Sequence, residues 1–93
     1  MNTKRAKPVK RRGSRATGPI DKYFGDRMRA RRLMIEMSQV DLGKSLGLSF
    51  QQIQKYERGE NRISAALMAR MIEILDVNIG YFFDEIPKTK RNG

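Results

Sequence analysis

The sequence predicts an all-α domain of five short helices, and three observations carry that expectation. Four helix starts repeat one grammar: an apolar residue, a capping residue, then an apolar residue four positions after the cap. They are Met37–Ser38–Leu42, Leu48–Ser49–Ile53, Ile63–Ser64–Met68 and Val77–Asn78–Phe82. The capping oxygen accepts from an otherwise orphaned backbone N–H, while the apolar pair clasps across it. Between these starts apolar residues recur nearer the helical than the strand period, and no stretch alternates as a strand does. Finally, 93 residues with 39% hydrophobic content suffice for one small core.

The first helix is expected from an Asp21 cap to about Met37, with Phe24, Met28, Leu33, Ile35 and Met37 on its apolar side. Arg32 falls inside that seam, where a cation must snorkel outward or meet a carboxylate, and Glu57 is the candidate partner. Arg27, Arg29 and Arg31 spread over the other faces and read as solubilising. The second helix is expected over 39–46, capped by Ser38 with Asp41 as the reciprocal acid, burying Leu42 and Leu46 and ended by Gly47. The third is expected over 50–58, boxed by Ser49 and Gln52 and stopped at Gly59.

A fourth helix over 65–76 buries Leu67 or Met68, Met71, Ile72 and Leu75. A fifth over 79–86 carries Ile79, Tyr81, Phe82, Phe83 and Ile86 and stops before Pro87. That is more apolar surface than one side of so short a helix can bury. It serves either core closure or self-association. Gly43 stands inside the second helix, where glycine costs about 1 kcal/mol relative to alanine. Two helices crossing closely at the Gly47 turn explain it, because a side chain at 43 would collide with the third helix.

The net charge of +10 becomes informative once located. Residues 1–19 carry seven cations and no acid, residues 87–93 carry three more and no acid, and the remaining ten cations match the ten acids. The expected organisation is a disordered basic arm over 1–19, a formally neutral body over 20–86 and a basic tail over 87–93. Such an arm is either a solvated tail or a polyanion contact; a neutral body beside an anion-binding motif favours the second, through Lys10, Arg11, Arg12 and Arg15.

The chain has no Cys and no His, which excludes disulfides, thiolate or imidazole metal sites and imidazole acid–base catalysis. Paired carboxylates occur only at helix ends such as Asp84–Glu85, so neither an enzyme nor a cofactor is expected. No apolar run approaches the ~18 residues of a membrane span. The cationic N-terminus lacks the apolar segment of a secretory signal.

On a helical wheel the third helix turns Ile53, Tyr56 and Glu57 to one side. The opposite side presents Gln51, Lys55 and Arg58 within roughly 60° of one another, with Gln54 on the margin. A helix meant only to be wet mixes acids into its outer face, whereas this face is amide and cation throughout. Gln can bond adenine N6 and N7 together, and Lys can donate to guanine O6 and N7. Phe50, on the flank, either packs against the turn or touches a thymine methyl. Gln39 opens the second helix, where free N–H groups and the helix dipole attract a phosphate.

Residues 27–83 resemble the Cro/C1-type helix-turn-helix family, also called the XRE family. The resemblance rests on Arg32, Ser38–Gln39, Leu42–Gly43, Leu46–Gly47, Ile53, Tyr56–Glu57, Gly59, Leu75 and Val77. It implies a five-helix lambda-repressor-like bundle whose third helix enters the major groove of double-stranded DNA, as a homodimer on a palindromic operator. It implies base-edge roles for Ser49, Phe50, Gln51 and Lys55, and phosphate contacts from Gln39, Gln54, Arg58 and Arg62. It also implies a structural ion pair between Arg32 and Glu57. A polar residue is common in the family where this chain has Phe50, and alanine is common where it has Gly43.

The expected function is a cytoplasmic, sequence-specific transcriptional regulator, a repressor in most of this family, of bacterial nucleoid or phage origin and with no small-molecule ligand. The alternative is an antitoxin or accessory regulator that binds a protein partner as well as DNA.

Overall fold

The computed structural model of the chain describes residues 17–88. Five helices follow one another: α1 Pro19–Met34, α2 Gln39–Leu46, α3 Phe50–Glu57, α4 Ala65–Leu75 and α5 Gly80–Phe83. Ser38, Ser49 and Ser64 each accept from the backbone N–H three residues on, at 2.9, 3.1 and 3.0 Å. Ser49 and Gln52 complete a reciprocal box, since the Gln52 amide oxygen accepts from the Ser49 N–H at 3.0 Å. Asp41 makes no such return bond among the described residues, so the box expected at Ser38 is half formed. Asn78 accepts from the Tyr81 N–H at 3.2 Å.

The start of α1 differs from the expectation. Gly18 is the cap residue, Pro19 takes the first helical position where its missing N–H costs nothing, and Asp21 sits at the third. There its carboxylate accepts from the Gly18 N–H at 2.9 Å. Asp21 therefore caps backwards from inside the helix.

The ends of α1 to α4 share one geometry. After each, a residue enters the left-handed region: Glu36, Gly47, Gly59 and Asp76, with φ of 60, 74, 77 and 58°. The next N–H then reaches back five residues: Met37 to Arg32, Leu48 to Gly43, Glu60 to Lys55 and Val77 to Ile72, at 2.8–3.1 Å. The two glycines are legible stops, whereas Glu36 is not, and α1 ends at Met34 instead of running to Met37. The last helix is also shorter than the expected 79–86, because Pro87 disfavours helical backbone at Ile86 and Ile79 provides no side-chain cap.

α3 packs on both α1 and α2, α4 lies over α1 and α2, and α5 returns to α1. The core holds Met28, Leu42, Leu46, Ile53, Met68, Met71, Leu75 and Phe82. Phe24 from α1 meets Phe82 and Phe83 edge-on at 6.3 and 5.3 Å. Leu33, expected on the apolar side of α1, is instead exposed, because that helix turns Gly25, Met28 and Arg32 inward.

Two glycines mark where backbones nearly touch. A Cβ on Gly25 would lie 2.4 Å from the Tyr56 carbonyl oxygen and 2.6 Å from that of Glu57. A Cβ on Gly43 would lie 2.5 Å from the Leu48 carbonyl oxygen, so its obstacle is the turn rather than the body of α3.

Candidate nucleic-acid interface

The α2–turn–α3 unit is held from behind by a buried ion pair. Arg32 Nε donates to Glu57 Oε2 at 2.7 Å and its Nη2 donates to Oε1 at 3.0 Å, a fork-on-fork pair beneath the end of α3. The third nitrogen, Nη1, donates to the Met37 carbonyl at 2.9 Å, tying the α1–α2 link to the same site. Gln39 Nε2 also donates to Glu57 Oε1, at 3.0 Å. One of its two amide hydrogens is thus engaged inward, and the other stays free for a ligand at the head of α2.

The opposite side of α3 is open. Gln51, Lys55 and Arg58 are exposed and Gln54 is half-buried, with Phe50 at 40% exposure beside them. Among the described residues no hydrogen bond or ion pair holds the side chains of Gln51, Gln54 or Lys55. Arg58 has only a long contact to Glu60, 3.7 Å between two exposed groups. Phe50 stands out from the turn rather than beneath it.

Ser49 is more constrained. Its hydroxyl accepts from the Gln52 N–H at 3.1 Å and donates to Gln52 Oε1 at 3.3 Å, so its donor is engaged within the cap. What remains for an incoming group is one acceptor lone pair. Arg62 lies beside the start of α1, its Nε 3.5 Å from Asp21 Oδ2. That contact brings residues 17–18, where the basic N-terminal segment joins the body, next to the α3–α4 loop. Lys10, Arg11, Arg12 and Arg15 lie outside the described residues.

Three cations take roles that composition hides. Arg27 Nε donates to the Tyr81 carbonyl at 2.8 Å, its guanidinium lies 3.8 Å from the Tyr81 ring centre, and the Tyr81 hydroxyl donates back to the Arg27 carbonyl at 2.7 Å. Arg31 donates to the carbonyls of Leu75 and Asp76 at 2.8 and 3.3 Å, closing the end of α4. Arg70 donates to Leu46 and Ser45 at 3.0 and 3.1 Å, closing the end of α2. Arg27 and Arg31 are therefore clamps, not solubilising charges. Their acceptors lie 44 or more residues away, so spacing along the chain carried no sign of them.

Comparison with known proteins agrees with this geometry. A family model described as Helix-turn-helix matches residues 28–82. An uncharacterised HTH-type transcriptional regulator of Sinorhizobium medicae is 51% identical over 69 residues, which is 74% of this chain and 50% of the relative. The chain spans about half the length of the curated relatives it matches most strongly. Among solved structures, the restriction-modification controller protein C.AhdI from Aeromonas hydrophila is similar with a TM-score of 0.62 and 27% identity, over 67% of this chain and 94% of that one.

The same fold occurs in hydroxypropylphosphonic acid epoxidase from S. wedmorenis, with a TM-score of 0.67 and 22% identity over 76% of this chain and 36% of that one. A fold shared with an enzyme assigns no role by itself; the residues on α2 and α3 must do so. Those residues and the matching family model agree: the chain belongs to the Cro/C1-type helix-turn-helix family.

Proposed function

We propose that this chain is a transcriptional regulator that reads the major groove of operator DNA with α3 and acts as a repressor. The observation that carries the reading is the outer side of α3, where Gln51 and Lys55 are exposed and held by nothing among the described residues. Both can bond base edges bidentately, whereas an acid-bearing face would be repelled by the phosphates that flank the groove. Phe50 adds an apolar contact suited to a thymine methyl, and Ser49 supplies an acceptor only.

Phosphate contacts are assigned to Gln39 through its second amide hydrogen, and to Gln54, Arg58 and Arg62. The segment bearing Lys10, Arg11, Arg12 and Arg15 leaves the body beside the α3–α4 loop, close enough to the same duplex to add counterion-release affinity. Ile79, 63% exposed, and Phe83, 40% exposed, give α5 an apolar surface that supports a homodimer on a palindromic operator. No helix among the described residues is long and apolar enough to cross a membrane, which fits action on DNA in the cytoplasm.

Selection of bound duplexes from a random pool tests the reading. The expected result is a palindromic consensus with half-sites one helical turn, about 10 base pairs, apart. Recovery of no consensus, with equal affinity for all duplexes, overturns the base-reading role of α3. Sedimentation showing monomers both free and on the selected duplex overturns the dimer.

A further inference from the structure

α1 also contributes to a cleft with the chemistry of an anion site. A depression of about 300 Å³ opens where α1 passes the head of α2 and the end of α3. Its lining is Lys22, Asp26 and Arg29 from α1, Gln39 from α2, and Gln54, Glu57 and Arg58 from α3 and its cap. Lys22, Asp26 and Arg29 are spaced by four and three residues, which puts all three on one stripe of the helix facing the cleft.

Two carboxylates in this lining would repel an anion, but both are already neutralised. Asp26 holds Lys22 Nζ at 2.7 Å, and Glu57 holds the Arg32 fork and the Gln39 amide. Arg58 is bound only by its 3.7 Å contact to Glu60. Arg29 is exposed and has no ion-pair or hydrogen-bond partner among the described residues. With each acid matched to its own cation, the surplus is Arg29. The second amide hydrogen of Gln39 and the amide of Gln54 supply neutral donors, and the backbone N–H groups of Gln39 and Val40 lack helical acceptors.

We propose that this cleft seats one phosphodiester of the DNA backbone, with Arg29 of α1 as its principal charged contact and Arg58 as its second. The ligand's identity rests on the DNA-reading role proposed above. The cleft extends that role by making α1 a DNA-contacting element. It fixes how deeply α3 enters the groove without reading sequence, because a phosphate carries no base information.

Arg29→Ala tests it on the full chain, with the duplex recovered by selection and a duplex of scrambled sequence. Removal of one phosphate contact lowers the steepness of log K against log salt by about 0.9 on both duplexes. Between 50 and 200 mM salt the parent then loses about 3.5-fold more affinity than the variant. Arg29→Lys restores the parental slope. Asp26→Asn releases Lys22 toward the same phosphate and is expected to strengthen both complexes.

Phosphate-ethylation interference on the selected duplex should lose sensitivity at one backbone position in Arg29→Ala and keep the rest. An unchanged ethylation pattern and slope in Arg29→Ala, with the parent still sequence-selective, overturns the cleft and leaves the α3 reading standing. A parent that binds neither duplex overturns both. Thermal melting of Arg29→Ala near that of the parent is expected, since Arg29 supports nothing in the fold.

Discussion

Two sets of cations in the body have the same composition and opposite fates. Arg27, Arg31, Arg32 and Arg70 are each bound to acceptors within the chain, three of them to carbonyls on or beside α2, α4 or α5 and one to a buried carboxylate. Arg29, Lys55 and Arg58 stand outside, with a single 3.7 Å contact among the three. What separates them is the supply of acceptors. A helix end leaves four carbonyls without helical partners, and an arginine that reaches one binds its planar fork there. Cations beyond reach of such an end remain available to an external anion. Charge counts do not distinguish a clamp from a contact; the position of helix ends does.

Arg32→Ala breaks the comparison most forcefully. It leaves Glu57 buried with only the Gln39 amide, at a cost of about 3–5 kcal/mol for a broken buried pair. Thermal melting reads the loss, and a melting temperature near the parental one would mean that solvent reaches Glu57.

Gln51→Ala and Lys55→Ala are the outward counterparts. Each is expected to leave melting unchanged and to reduce discrimination between selected and scrambled duplexes by about 1–3 kcal/mol per lost bidentate contact. Equal weakening on both duplexes would move these side chains out of the base readout. Arg70→Ala is expected to destabilise by about 1 kcal/mol, since two bonds to the end of α2 are lost but solvent partly replaces them. Its salt slope on DNA should match the parent, which is where it parts from Arg29→Ala.

Glu36→Gly sharpens the helix-end side of the comparison. A left-handed backbone costs a non-glycine residue about 1–2 kcal/mol, and glycine's extra chain entropy returns part of that. A net gain of about 0.5–1 kcal/mol in chemical denaturation is expected. A loss would mean that the Glu36 side chain contributes more than its backbone costs.

Much of the fold is legible because its signals are local. Ser38, Ser49 and Ser64 announce three helix starts within three residues of the bonds they make, and Gly47 and Gly59 announce two ends. The α1 boundaries are harder. Asp21 is a capping residue that caps from inside, and Glu36 takes a left-handed conformation its residue type does not advertise. Within the interface the wheel separates the buried Ile53 and Glu57 from the outward Gln51 and Lys55. It is silent about Ser49, whose hydroxyl goes to Gln52, because sharing a face says nothing about competing bonds.

The sequence by itself determined the five helices, the turn at Gly47, the inward and outward sides of α3 and the excess of charge in the tails. Each follows from periodicity, capping chemistry or counting within one or two turns of chain. Tertiary structure alone decided which arginines became clamps, why Gly25 admits no side chain and where α1 meets α2 and α3 in a cleft. Those outcomes depend on how closely helices distant in the chain approach. Gly25 stands against the carbonyls of Tyr56 and Glu57, and Arg31 against that of Leu75, across separations that no local pattern spans.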